Sequence, residues 1–393
     1  MDVKNLPLDQ RAQCAAYLRA RHNMSQMEIG KALGGLSQPH VSRLLAHAQK
    51  QKYLVISERF AAEKFSEAWL RKMDELLAPP ELALAVASYC QVHNQHIPNI
   101  RVFESGTGQT EAALSHRRQR FGRTASGRLV ELLTRAEIVG VSWGRTLRAL
   151  FDGIARANVP VDPASQIEFL PVCAEFVKLT QRGYSASRLA ELLDDIYNLG
   201  QGATVSLTGF PAFIPRAYNA DMQNSIRRMV ADTPSHAYVF SGADPRVSRM
   251  DTLLSSVGSA QTPLLGAREE LIHAGGVSAD ELSHLIVGDL SGILIPKDNL
   301  SAADQQKVDS LNRMWTGIQF AQVREIAQRA VLDPTKNGVV LVALQAERAD
   351  ALLELIRLGL VNELIIDQAA AQRLSEKLSQ EAGLGAECGE IDK

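Results

Sequence analysis

The chain has 393 residues, a net charge of −2, 46% hydrophobic and 22% charged residues, values typical of a globular protein with two or three domains. No apolar run approaches the roughly 20 residues that a membrane-spanning helix needs, and no apolar signal core follows the first residues. The four cysteines are far apart and form no C-x-x-C pair, which argues against a disulfide framework or a zinc ribbon. We therefore expect a cytoplasmic protein without a membrane segment, a metal site or a cofactor.

The charge is distributed unevenly along the chain. The first 52 residues contain eight basic and three acidic side chains. Their net charge is therefore +5, and the remaining residues carry −7. A basic N-terminal part on an acidic body fits one module that faces DNA and a body with a different role.

The N-terminal part contains the signals of three short helices. The first is predicted over Leu8–Arg21, and its core-facing residues are Tyr17 and Leu18. Ser25 is a good N-cap for the second helix, and Glu28 completes a capping box. Gly34 and Gly35 end that helix, because glycine adopts the left-handed backbone of a helix exit. The apolar residues predicted to face the core are Met27, Ile29 and Leu33.

The third helix begins after Ser37, and Pro39 lies in its first turn, where a missing N–H costs nothing. Its inward residues are Val41, Leu44 and Leu45. A polar edge without acidic residues is left outside, which is typical of a DNA-binding helix-turn-helix. The alternative is an ordinary helical hairpin in an all-α domain. The residues predicted to contact DNA are Ser25, Gln26, Ser37, Gln38, His40, Ser42 and Arg43.

The next stretch is predicted to connect this head to the body. Tyr53–Ser57 fits a short strand or wing, and Phe60–Leu77 fits an amphipathic helix. The apolar side of that helix consists of Phe65, Trp69, Met73 and Leu76. Leu82–Val92 is predicted to be helical again. The connector is too apolar for a free linker, so we expect it to pack on the body or on a second subunit. His93 and His96 have no third metal ligand nearby, and a solvent-facing loop is the better interpretation.

From Arg101 onward, short β-type runs alternate with helical patterns. The strands are predicted at Ile100–Phe103, Glu137–Ser142, Ile167–Val172, Ala203–Leu207, Ala237–Phe240, His284–Val287, Val339–Val342 and Leu364–Ile366. The helices are predicted at Arg123–Leu133, Thr146–Ala157, Ala186–Leu199, Asp221–Val230, Gln322–Ala330 and Glu347–Leu358. Strands that are apolar on both faces and alternate with helices indicate an α/β domain with a doubly wound, mainly parallel sheet.

A ligand site is predicted in the loop of VGVSWGRTL, Val139–Leu147. A strand ends at Ser142, Gly144 permits a sharp turn, and a helix opens near Thr146. A helix N-terminus after a parallel strand attracts phosphate, and Arg145 adds a charged donor. Turns of this kind are common and usually structural, so the pattern alone is weak.

The helix-turn-helix followed by VGVSWGRTL resembles the SorC family of bacterial transcriptional regulators. Four later stretches agree with that family in order: Phe240–Gly258, Val287–Pro296, Ser310–Ile326 and Gly338–Leu374. The resemblance implies an N-terminal DNA-binding head and an effector domain related to sugar-phosphate isomerases. It also implies that a sugar or sugar phosphate binds at Ser142, Trp143, Gly144, Arg145 and Thr146, and that a dimer or tetramer grips double-stranded operator DNA.

The chain departs from the family pattern in three places. The recognition turn has two glycines where the family usually has one, and the connector over Pro79–Gln95 is longer than usual. Where the family shows a glycine pair and a lysine after a late strand, this chain has Leu344, Gln345 and Arg348. We expect Gln345 and Arg348 to line an altered pocket that prefers a different effector. The alternative is a pocket that no longer binds any ligand, which would leave a constitutive DNA-binding protein.

Several other side chains carry two interpretations. Asp289 either accepts sugar hydroxyls or serves as a turn residue, and Trp143 either stacks on a sugar ring or packs in the core. Asp194 and Asp195 are expected to be solvated surface residues rather than an acid–base pair. Glu175 is similarly ambiguous.

The resulting hypothesis is a sugar-responsive transcription factor without catalytic activity. Its predicted parts are a helix-turn-helix domain over residues 1–58, a helical connector over 59–98 and an effector domain over 99–393. The alternative is a sugar-phosphate isomerase or deaminase with an accessory helical head. That alternative needs a general base beside the phosphate loop, and the sequence offers no clear histidine or carboxylate constellation.

Overall fold

The computed structural model describes residues 6–22, 24–53, 80–156, 166–176, 182–202, 205–261 and 267–388. The chain divides into two compact units, Met1–Phe65 and Ser66–Lys393. Within the described ranges, no helix has both the length and the apolar character needed to cross a membrane.

The first unit contains three helices: α1 (Leu8–His22), α2 (Gln26–Ala32) and α3 (Gln38–Lys50). The predicted capping box is confirmed, because the Ser25 hydroxyl accepts the Glu28 N–H and the Glu28 carboxylate accepts the Ser25 N–H at 2.7 Å. Gly34 and Gly35 have φ of +91° and +83°, as a turn after α2 requires. Gly30 lies against the Leu36 carbonyl, where a Cβ would be only 2.3 Å away.

A small core holds the three helices together. It consists of Ala12, Ala15, Ala16, Ile29, Leu33, Val41, Leu44, Leu45 and Ala48. The predicted inward faces of α2 and α3 are confirmed except at Met27, which is 69% exposed. The prediction for Tyr17 was also wrong, since its side chain is 59% exposed. The alanines of α1 form the contact instead, because small side chains allow helices to approach closely.

The second unit is built on a six-stranded parallel sheet with the order β1-β8-β7-β4-β2-β3. Its strands are β1 (Asn99–Phe103), β2 (Ile138–Val141), β3 (Glu168–Pro171), β4 (Thr252–Ser256), β7 (Gly338–Ala343) and β8 (Glu363–Asp367). An antiparallel pair, β5 (Ile286–Leu290) and β6 (Ile293–Pro296), lies outside this sheet. The predicted α/β fold with a mainly parallel sheet is confirmed.

Helices cover the sheet and complete the unit. They are α4 (Pro80–Val92), α5 (Glu111–Leu133), α6 (Arg145–Arg156), α7 (Ala186–Tyr197), α8 (Ala220–Asp232), the single turn α9 (Pro234–His236), α10 (Ala267–Gly275), α11 (Ala279–Leu285), α12 (Ala302–Asn312), α13 (Phe320–Leu332), α14 (Ala349–Arg357) and α15 (Gln368–Cys388). The longest element of the predicted connector, Phe60–Leu77, and residues 54–57 of the predicted wing lie outside the described residues.

The winding of the chain reverses between two central strands. From β2 the chain proceeds to β3 on one side, whereas from β4 it proceeds to β7 and β8 on the other side. The loops after β2 and β4 therefore diverge. In open parallel sheets this divergence leaves a crevice at the carboxyl ends of the strands, which is where ligands bind.

Two of the predicted strands were wrong, and two observed strands were not predicted. Residues 237–240 form a π-helical turn, Ala237–Ser241, which buries Val239 and Phe240 without a strand partner. Residues 205–207 form no strand, and 203–204 lie outside the described residues. β4 and β6 were not predicted as strands. β4 ends in two serines and looks polar in sequence, yet Thr252 to Ser255 are buried because the strand is central.

Candidate ligand-binding site and N-terminal surface

A pocket of about 160 Å³ opens at the carboxyl ends of β2, β4 and β7. Its walls come from the β2–α6 loop, the residues that follow β4 and the loop between β7 and α14. Because these three strands are neighbours in the sheet, residues far apart in sequence meet in one cavity. The pocket lies at the reversal of winding described above.

Seven of the eight predicted effector residues line this pocket. They are Trp143, Gly144, Arg145, Thr146, Asp289, Gln345 and Arg348. Ser142, which directly follows β2, is fully buried and does not line the pocket. Its N–H donates to the Leu254 carbonyl oxygen at 3.0 Å, and its hydroxyl lies beside the Cys173 thiol.

The β2–α6 loop is held tightly at Gly144, which has a φ of +145°. The Gly144 N–H donates to the Tyr184 carbonyl oxygen at 3.0 Å. The Ser256 hydroxyl donates to the Trp143 carbonyl oxygen, also at 3.0 Å. A Cβ on Gly144 would lie only 2.6 Å from that hydroxyl oxygen. The absence of a side chain is thus what allows the loop to rest on β4.

Five arginines line the pocket, three of which the sequence analysis missed: Arg117, Arg118 and Arg268. The Glu111 carboxylate accepts from both Arg118, at 3.0 Å, and Arg145, at 3.1 Å. Glu111 begins α5, and the same helix also brings Arg117 and Arg118 to the pocket. The sequence signal that could have identified two of them is the cluster His-Arg-Arg-Gln-Arg at residues 116–120.

Asp289 is the one carboxylate among the described residues that line the cavity. Burial raises the pKa of Asp289, although the nearby Arg268 and Arg348 act in the opposite direction. Burial also lowers the pKa of Arg348. Gly258 lies directly against the Asp289 carboxylate, since a Cβ there would be 1.8 Å from an oxygen. The pocket is therefore strongly basic, with a single carboxylate that can accept hydroxyl donors.

Trp143 belongs to an aromatic cluster at the pocket wall. Its ring centroid lies 4.9 Å from that of Phe176 and 6.0 Å from that of Trp315, and Phe213 packs on Trp315 at 4.9 Å. Both interpretations of Trp143 are thus compatible with its position, because the ring packs in the core and also contributes to the cavity lining.

The remaining polar candidates lie in structural contacts. Asp194 is buried, which corrects the expectation of a solvated residue, and its carboxylate accepts from the Asn198 amide at 2.6 Å. Asp195 is exposed as expected. One Glu175 oxygen accepts the Ser187 N–H at 3.4 Å.

The two histidines after α4 also lie in such contacts. The His93 ring packs on Tyr89 with centroids 4.4 Å apart. His96 Nε2 lies 2.6 Å from the Val361 carbonyl oxygen. Within the described ranges, no group of three potential metal ligands comes together.

In the N-terminal unit, a groove passes between the helices. Four predicted DNA-contacting residues line it: Ser25, Gln26, Gln38 and Ser42. Arg19 and Gln49 line it as well and were not predicted. Of the other three predicted residues, Ser37 and Arg43 are exposed and His40 is half-buried. The exposed edge of α3 is thus polar and carries no acidic residue.

Several solved structures share this fold. The full-length sorbitol operon regulator SorC from Klebsiella pneumoniae matches with a TM-score of 0.52 and 16% identity, covering 93% of this chain and 99% of that one. A DeoR family transcriptional regulator from Listeria monocytogenes matches with a TM-score of 0.51 and 14% identity, covering 74% and 99%. A domain of a possible sugar-binding transcriptional regulator from Arthrobacter aurescens TC1 gives 0.51 and 19%, covering 76% and 98%.

The structural neighbours are SorC- and DeoR-type regulators. No family model matches the chain, and no curated protein matches it by sequence. At sequence identities this low, the structural similarity establishes the fold of this chain. The match to the Klebsiella regulator extends over nearly the whole of both chains.

Proposed function

We propose that this protein is a cytoplasmic, DNA-binding transcriptional regulator whose operator binding is controlled by a small sugar or sugar phosphate. The observation that carries the proposal is the arginine-lined pocket at the reversal point of a parallel sheet, on a chain that also has a basic three-helix unit. The effector residues are Trp143 to Thr146, Asp289, Gln345 and Arg348, with Ser142 supporting the loop from below. The fold likeness to SorC- and DeoR-type regulators supports this function.

The chemistry of the pocket favours an anionic ligand with hydroxyl groups. Five guanidinium groups supply charged donors, which bind phosphate or carboxylate more strongly than neutral donors do. The N-terminus of α6 adds its dipole and backbone N–H groups at the same place. Asp289 is positioned to accept hydroxyl donors, and the exposed part of Trp143 offers an apolar surface to a sugar ring.

The N-terminal unit is proposed to place α3 in the major groove of double-stranded DNA. Gln38 and Ser42 lie in the groove and Arg43 is exposed beside them, so their donors and acceptors are available to bases and phosphates. Residues 1–58 then form the DNA-binding domain, 59–98 the connector and 99–393 the effector domain. We propose that the chain acts as a homodimer or tetramer, because operators of helix-turn-helix proteins usually have two-fold symmetry.

The enzyme alternative finds less support in the pocket. Asp289 is the single carboxylate available as a general base among the described lining residues. No histidine is found among the described lining residues. The comparisons point the same way, since the neighbours are transcriptional regulators.

The test is a thermal-shift screen with a panel of sugars, sugar phosphates and sugar acids. A ligand at 100 times its Kd stabilises a protein by about 2.7 kcal/mol, so a specific effector gives a clear shift. We expect Arg145→Ala to abolish the shift. The matched control is Arg373→Ala, another partly exposed arginine that pairs with a glutamate but does not line the pocket.

DNA binding is tested on the same protein by selection from random duplexes, followed by titration of the enriched sequence with and without effector. Gln38→Ala combined with Arg43→Ala should lose sequence preference. If no compound of the panel shifts the melting temperature and no duplex sequence is enriched, the proposal is wrong. Turnover of a sugar phosphate would instead establish the enzyme alternative.

A further inference from the structure

The pocket wall contains a backbone conformation that side chains rarely adopt. Gln345, in the loop after β7, has φ +79° and ψ +150°. This region is nearly reserved for glycine, and other residues remain there only where the surrounding structure holds them. Because Gln345 lines the pocket, its strained peptide forms part of the proposed effector site.

One buried carboxylate holds this peptide. Asp367, the last residue of β8, is fully buried, and its Oδ1 accepts the N–H groups of Gln345 and Ala370, each at 3.0 Å. Its Oδ2 accepts from Arg117 Nη2 at 2.8 Å and from the Ser105 hydroxyl at 2.7 Å. A carboxylate has about four lone-pair sites, so these four donors occupy the whole acceptor capacity of Asp367.

The four donors come from separate parts of the unit. Arg117 belongs to α5 and lines the pocket, and it also donates to the Gly108 carbonyl oxygen at 3.2 Å. Ser105 follows β1, and Ala370 lies in the first turn of α15. Asp367 therefore connects two residues of the pocket wall, Gln345 and Arg117, to elements that lie behind it.

We propose that Asp367 is a positioning residue of the effector pocket, which holds the Gln345 peptide in its glycine-like conformation and the Arg117 guanidinium group at the wall. This inference rests on the proposed function, since it assigns roles within the same pocket. Both groups are then in place before the ligand binds. The entropy cost of ordering them is therefore incurred during folding and not on binding.

The substitution Asp367→Asn tests the acceptor count. An amide oxygen has two lone pairs, so two of the four donors lose their acceptor whichever way the amide turns. We expect the amide oxygen to stay with the charged Arg117 donor, whose hydrogen bond is the stronger one. The amide nitrogen then faces the Gln345 N–H, and the Gln345 peptide is free to relax out of its strained conformation. Gln345→Gly removes the need for that restraint, because glycine adopts positive φ without a steric penalty.

The first measurement is a double-mutant cycle of urea unfolding on the protein without ligand. We expect Asp367→Asn to lower the unfolding midpoint by a larger amount in the Gln345→Gly background than in the wild type, because only the chain with Gln345 releases backbone strain when the restraint is lost. Asn299→Gly is the matched control, because Asn299 is exposed, has φ of +59° and is remote from the pocket lining. The loss caused by Asp367→Asn should be unchanged in that background. Equal losses in all three backgrounds overturn the proposed restraint.

The second measurement is equilibrium binding of glucose 6-phosphate and of inorganic phosphate, followed by tryptophan fluorescence. We expect Asp367→Asn to weaken binding about tenfold, which corresponds to 1.4 kcal/mol. The double variant should return to within about threefold of Gln345→Gly alone. A purely structural role of Asp367 would lower stability without this rescue by glycine.

The outcomes separate the two proposals. If the wild type binds a probe and Asp367→Asn binds it equally well, the positioning role is wrong while the proposed function stands. If neither probe binds the wild type, binding of these two phosphates is excluded, and the unfolding cycle still decides the role of Asp367. Asp367→Ser retains a helix-capping hydroxyl and replaces Asp367→Asn in both cycles, with the same criteria, if the asparagine variant does not fold.

Discussion

Gly144→Ala is expected to destabilise the protein through two separable effects. An alanine at a φ of +145° strains the backbone, which costs about 1–3 kcal/mol. Its Cβ would also lie 2.6 Å from the Ser256 hydroxyl oxygen. The hydroxyl has to move and its bond to the Trp143 carbonyl oxygen is lost, which costs about 1 kcal/mol more. The expected total is roughly 2–4 kcal/mol.

Two further variants separate these effects in urea unfolding, evaluated as midpoint shifts at constant m. Gly209→Ala introduces alanine at a φ of +87° with no atom within 4 Å of the new Cβ, so it is expected to show backbone strain alone, about 1–2 kcal/mol. Ser256→Ala removes the clashing oxygen, and its cost should be about 1 kcal/mol smaller in the Gly144→Ala background than in the wild type.

The contact between the new Cβ and the Ser256 hydroxyl has no effect on stability if Gly144→Ala costs no more than Gly209→Ala and if the effects of Gly144→Ala and Ser256→Ala are additive. In that case the close approach of the β2–α6 loop to β4 contributes nothing to stability, and strain alone explains the requirement for glycine.

Two other predictions concern groups outside the pocket. Burial lowers the pKa of His96, so the unfolded chain takes up a proton at a higher pH than the folded protein does. The protein therefore loses stability as the pH falls through about 6.5. His96→Gln should make the free energy of unfolding depend less steeply on pH between 5 and 8, and an unchanged dependence would contradict this prediction. Arg128 donates to Glu363 through two bonds of 2.5 and 2.8 Å in a largely buried pair, so Arg128→Met should cost about 3–5 kcal/mol in urea unfolding. Glu131→Ala removes only the more exposed partner of the same arginine and should cost less than about 1 kcal/mol; equal costs would refute the importance of burial.

Local signals were sufficient where the structure depends on neighbouring residues. The capping box of Ser25 and Glu28, the glycine turn after α2 and the loop around Gly144 were predicted from sequence, because caps and tight turns are made by bonds within a few residues. The parallel α/β fold was predicted as well, since strands that are apolar on both faces require helices on both sides.

The tertiary structure decided the features that depend on distant partners. β4 is a strand because it lies between β2 and β7, although its two serines make the segment look too polar for a buried strand in the sequence. The ion pair of Arg117 with Asp367 joins residues 250 positions apart, and the Gln345 N–H, in its glycine-like conformation, donates to the same Asp367 from 22 positions away. A sequence specifies its local hydrogen bonds directly, whereas the charge and shape of a pocket arise from which strand ends the fold places side by side.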